Sequence, residues 1–79
     1  MRVKLIFFAA AADRAGTRTK EVDVAEGTRI GHLGEFVLQE YPPLVGLQLI
    51  YAVNEQYVSP NQLLNAGDEV AVFTPVSGG

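Results

Sequence analysis

Cysteine is absent from the 79 residues, and His32 is the only histidine. With no cysteine there is no disulfide, no thiolate nucleophile and no thiolate metal site. One histidine leaves no cluster for a metal and no His–Cys pair for catalysis. Tryptophan is missing too, and positive charge is scarce: six Lys and Arg against nine Asp and Glu, for a net charge of −3. Nucleic acids and anionic membranes are bound through dense positive charge, so neither is expected as the main partner. The longest apolar run, Leu5 to Ala12, falls far short of the ~20 residues that a bilayer span needs. Its removal as a leader would delete the best strand of a tiny domain, so a cytoplasmic protein is expected. No phosphate loop, acid–base pair or metal set is present, which excludes most self-contained enzymes.

What is there is a folding chain. Hydrophobic residues make up 48% and charged ones 19%, a balance that excludes a disordered chain. A single domain over residues 1–79 is expected, with a thin core at this length. Arg2 to Phe8 reads as a strand, with Val3, Leu5 and Phe7 on one face and Lys4, Ile6 and Phe8 on the other. Ala9 to Ala15 is a short helical turn closed by Gly16. Lys20 to Val24 alternates, with Val22 and Val24 inward. Thr28 reads as the N-cap of a helix to about Glu40, whose apolar stripe is Ile30, Leu33, Val37 and Tyr41. Gly31 and Gly34 each weaken that helix by roughly 1 kcal/mol against alanine, and Gly34 is read as a close approach of helix to sheet. Pro42 stops it.

Leu47 to Val53 is apolar throughout and reads as a central strand. A turn at Asn54-Glu55 leads to a short edge strand, Gln56 to Val58. Ser59 to Asn65 is a loop with room for one helical turn. Ala66-Gly67-Asp68 then turns the chain into Glu69 to Phe73, with Val70 and Val72 inward and Ala71 and Phe73 outward. The order β-β-α-β-β-β makes an α+β domain of the β-grasp, ubiquitin-like kind: a mixed sheet of four to five strands around one main helix, first and last strands paired in the middle. Ile6, Phe8, Ala71 and Phe73 would then share the face away from the helix, an uncovered apolar patch of the sort that marks a protein contact.

The chemistry falls to the tail, residues 74–79. Pro75 cannot donate to a sheet ladder, and it biases Thr74 towards an extended conformation. Six extended residues reach roughly 20 Å. Val76, Ser77 and Gly78 lead to Gly79, and the two glycines, lacking a Cβ, suit a narrow channel and close approach of another backbone. The reactive group is then the α-carboxylate of Gly79, with an ordinary pKa near ~3.5 and therefore ionised and a poor electrophile at neutral pH. It needs activation, most simply as a mixed anhydride with AMP made from ATP by a partner enzyme. Attack by a sulfur donor would leave a thiocarboxylate. A protein without cysteine can carry transferable sulfur only in some such way.

Phe7-Phe8-Ala9, Asp13, Gly16, Tyr51-Ala52-Val53-Asn54, Gly67-Asp68-Glu69-Val70-Ala71 and Pro75-Val76-Ser77-Gly78-Gly79 together resemble the molybdopterin synthase small-subunit family. These are β-grasp sulfur carriers related to the thiamine sulfur carrier and to ubiquitin. The resemblance implies no intrinsic cofactor, and adenylation of Gly79 by an E1-like adenylyltransferase that uses ATP. It further implies sulfur from a donor such as a cysteine desulfurase or rhodanese. The tail would then insert into a large synthase subunit, in a heterotetramer of two small and two large subunits, where sulfur passes to a cyclic pyranopterin precursor. Phe73, Pro75 and the outer-face residues Ile6 and Phe8 would meet the partner. Relatives with this tail serve thiamine, cysteine or tRNA thiolation, and others modify proteins as ubiquitin does. Arg14, Arg18 and Lys20 would form a basic rim that orients a partner.

Overall fold

Val3, Leu5 and Phe7 are buried and Arg2 and Lys4 exposed, the period-two pattern of a strand with one covered face. In the computed structural model, which describes residues 1–75, this strand is β1, Arg2–Phe7. It is followed by α1 (Ala9–Ala15), β2 (Thr19–Asp23), α2 (Ile30–Glu40), a 3-10 turn at Pro42–Leu44, β3 (Ile50–Val53), β4 (Gln56–Tyr57) and β5 (Glu69–Phe73). The strands form one sheet in the order β2-β1-β5-β3-β4. β1 and β5 run parallel in its middle, and the other pairs are antiparallel. This is the β-grasp, ubiquitin-like architecture, with the first and last strands central as their apolar character implied.

One face of the sheet carries the core. Ile30, Leu33 and Val37 of α2 are buried with Val3, Leu5, Phe7, Val70 and Val72. Burying a side chain such as Leu33, at 1% exposure, contributes about 1.5–3 kcal/mol. Tyr41 ends the helical stripe edge-on to Phe7, with ring centroids 5.2 Å apart. Gly34 is where α2 meets the sheet: a Cβ there would lie 3.2 Å from the Tyr51 hydroxyl oxygen. Gly16, at φ 75°, caps α1 through an N–H bond to the Ala12 carbonyl.

Several boundaries differ from the sequence reading. β1 ends at Phe7, because Phe8 becomes the N-cap residue of α1 while keeping an extended backbone. β2 starts and stops one residue early. Thr28 does not cap α2. Its hydroxyl turns back to the Ala25 carbonyl at 2.6 Å, and the N-cap is Arg29. The free N–H groups at the helix start are met by backbone instead: Ile30 donates to the Gln62 carbonyl and Gly31 to the Pro60 carbonyl, each at 2.9 Å. The 59–65 loop makes a single turn, in which the Gln62 N–H donates to the Ser59 carbonyl at 3.0 Å, and then bridges to the helix start through Arg29 and Leu63. Leu47 to Leu49 stay outside β3, and β3 is not central but lies between β5 and the two-residue β4. Val58 lies beyond β4.

Candidate functional site

The face of the sheet away from α2 can be read row by row from the strand register. Residues directly opposite one another share a face. Ile6 lies beside Ala71, Ala71 beside Ala52, and Ala52 beside Tyr57. The next row towards the C-terminal end of β5 holds Phe73 beside Ile50. Phe8 joins it, since its extended backbone donates to the Val72 carbonyl at 3.0 Å and continues the parallel register. Phe8 is 49% exposed and Tyr57 77%, while Ile6, Ala71, Phe73 and Ile50 are half-buried. The Tyr57 and Phe73 rings stand 5.8 Å apart, tilted by 55°. The result is a continuous apolar surface spanning four strands.

The opposite end of the same face is charged. Lys4 sits between Glu21 and Glu69 in register, and Arg2 lies next to Asp23. The Arg2 guanidinium reaches Asp23 at 3.2 Å and Glu21 at 3.6 Å. Hydrogen bonding from Arg2, and then its charge, hold the Asp23 carboxyl below the usual carboxylate range. The face therefore runs from paired charge to bare hydrocarbon and aromatic surface, and the chain exits at the apolar end. Phe73 is the last residue of β5 and part of the patch; Thr74 and the exposed Pro75 follow it directly.

The structure brings Ile6, Phe8 and Phe73 together as expected and puts Pro75 beside them at the exit. Val76, Ser77, Gly78 and Gly79 lie outside the described residues. Ile50 and Tyr57 were not expected in the patch. Reading Leu47 to Val53 as buried on both faces concealed Ile50, and Tyr57 joins only through its pairing with Ala52. Of the three cations of the basic rim, all exposed, Arg14 donates to the Pro43 carbonyl at 3.4 Å and Arg18 borders the groove beside the patch. That groove, about 530 Å³, runs from Ile6 and Phe8 past Asp13 to Thr19. Among the described residues no group of three His, Cys, Asp or Glu is placed to hold a metal ion, and no helix is long and apolar enough to cross a membrane. Chemically, such a surface can dock a partner and aim a chain terminus at it.

The chain is similar to known proteins in sequence and in fold. Residues 5–79 match the ThiS family. The molybdopterin synthase sulfur carrier subunit of Chlamydomonas reinhardtii is 30% identical over 83 aligned positions, covering all of both chains. The human protein of the same name is 31% identical, over 99% of this chain and 94% of its own. Among solved structures, SAMP1 from Haloferax volcanii superposes with a TM-score of 0.89 at 28% identity, over the full length of both chains.

Proposed function

The chain belongs to the ThiS family, and from that premise we propose that it is the sulfur-carrier subunit of a molybdopterin synthase, acting through the carboxylate of Gly79. The observation that carries the reading is the position of Phe73. It closes the apolar face and begins the tail, so one docking event would seat the sheet and direct the terminus into the partner. The likeness to sulfur carrier subunits, which runs through both terminal glycines, supports the same reading.

The proposed chemistry belongs to partners. An E1-like adenylyltransferase in the cytoplasm joins the Gly79 carboxylate to the α-phosphate of ATP and releases pyrophosphate. The persulfide of a donor protein such as a cysteine desulfurase or rhodanese then displaces AMP to give an acyl disulfide. A second thiol cleaves its S–S bond, leaving the thiocarboxylate and a disulfide. The large synthase subunit, two copies with two of this chain, holds the pyranopterin precursor that the thiocarboxylate sulfur attacks. This chain contributes the unhindered glycine carbonyl, the reach of the tail and the apolar face that grips each partner in turn.

Mass spectrometry tests it. Incubation with ATP, the cognate activating enzyme and a sulfur donor should replace one oxygen of the Gly79 carboxylate by sulfur. No such mass change, under conditions that consume ATP, would refute the carrier reading. A second reading, a ubiquitin-like protein modifier, is supported by the likeness to SAMP1, a modifier protein by its name. It requires isopeptide adducts of Gly79 with lysines in the same mixture.

A further inference from the structure

The hydrogen-bond parity of the central ladder determines where the tail separates from the sheet. In an antiparallel pair, only alternate opposed residues exchange N–H···O bonds. β3 and β5 oppose Val53 to Val70 and Ile50 to Phe73. Asn54 N–H donates to the Glu69 carbonyl at 2.9 Å, so the bonding pairs are 54 with 69, 52 with 71 and 50 with 73. The other edge of β5 agrees: Asp68 and Val72 turn their carbonyls to β1, accepting from Lys4 at 2.9 Å and Phe8 at 3.0 Å. The next bonding slot towards β3 pairs Gln48 with residue 75. Residue 75 is proline, which has no N–H to place there.

The facing segment is otherwise suited to go on as a strand. Leu47 and Leu49 alternate with Gln48, and both leucines line a groove of about 320 Å³ with Tyr51, Ile30 and Leu38. Yet β3 begins only at Ile50. A proline also favours an extended backbone at the residue before it. Thr74 can therefore keep the direction of β5 while the bond that would zip the next pair is missing.

We propose that Pro75 is a positioning residue that ends the β3–β5 ladder at the slot opposite Gln48 and so keeps the base of the tail off its own sheet, free for a partner protein. Its use rests on the carrier reading above; its geometry does not. With an ordinary amino acid at 75, the 48–75 pair closes and the base of the tail becomes an extension of the central strand.

Hydrogen exchange on the full chain with Pro75→Ala tests this. The Gln48 amide, which faces the residue-75 carbonyl, should gain about fivefold or more in protection, the worth of one ordinary hydrogen bond. A close Hα–Hα contact between Leu49 and Thr74 should appear by NMR, and carboxypeptidase should trim the tail more slowly. Unchanged Gln48 protection with no such contact overturns the proposal. Adding Gln48→Pro removes the other donor of that pair and should return trimming to the rate of the unaltered chain. Persistent slow trimming in the double variant also overturns it. None of these measurements needs ATP or a sulfur donor. If Pro75→Ala zips the pair while the unaltered chain never takes up sulfur, the carrier reading alone is refuted.

Discussion

The hydroxyl of Tyr51 lies against the backbone of Gly34, leaving 3.2 Å for a Cβ that glycine does not have. At Gly31, one turn earlier on α2, the nearest atom to such a Cβ is the Pro60 carbonyl oxygen at 3.4 Å, an ordinary contact. Both positions carry the same penalty for glycine in a helix, so their responses to alanine should part. Gly31→Ala should stabilise the fold by about 0.5–1 kcal/mol. Gly34→Ala should not, because the tyrosine has to shift. Tyr51→Phe, which removes the closest atom, should recover much of the gain. Urea unfolding of the double-mutant cycle measures this, and simple additivity would show that the contact has no consequence.

Asn54 ties the β3–β4 turn to the start of β5. Its side-chain amide donates to the Asp68 carboxylate at 3.0 Å and accepts the Glu69 N–H at 3.0 Å. Asp68 is only 7% exposed, and its second oxygen takes the Asn65 N–H at 2.7 Å. Asn54→Ala strands a buried carboxylate oxygen and places alanine at φ 48°, and should cost about 2–4 kcal/mol. Asn54→Gly relieves the backbone alone and should cost less. Equal losses in denaturant unfolding would mean that the backbone angle is unimportant.

At the charged end of the face, Asp23 titrates below its ordinary 3.8 because Arg2 bonds and attracts its ionised form. The folded chain thus holds that proton more weakly than the unfolded chain. The pair's stabilisation is complete above the ordinary value and disappears as pH falls through the depressed one. Both side chains are solvated, so the effect is small and weakens further with salt. Arg2→Ala should return the Asp23 midpoint to the ordinary range in an NMR titration. A midpoint that stays low would assign the shift to another group.

Phe73 and Tyr57 form the aromatic centre of the apolar face. Truncating either to alanine should weaken binding to the large synthase subunit by about 1–3 kcal/mol, seen by calorimetry. Lys4→Ala, at the charged end, should act mainly on the salt dependence of association. Full affinity after Phe73→Ala would move the docking surface elsewhere.

Alternation at Val3, Leu5 and Phe7 and at Val70 and Val72 was enough to orient the two central strands, since each side chain's face follows from a two-residue period. The helical stripe Ile30, Leu33, Val37 was equally plain, and so was the meaning of Gly34. The start of α2 was not. Thr28 has the chemistry of a cap, but the 59–65 loop brings carbonyls to the same N–H groups, and a partner thirty residues away leaves no local trace. The patch was half readable for the same reason: Ile6, Phe8 and Phe73 follow from their own strands, whereas Ile50 and Tyr57 join through pairing across β3.

By itself, then, the order of residues determined which faces are apolar and that Pro75 can give no hydrogen bond. Those are properties of single side chains and short periods. Only the tertiary structure decided which residues of the other strands join Lys4, Ile6 and Phe8 on their face of the sheet. It alone set the missing bond of Pro75 opposite Gln48, because register is a relation between strands and not a property of either one.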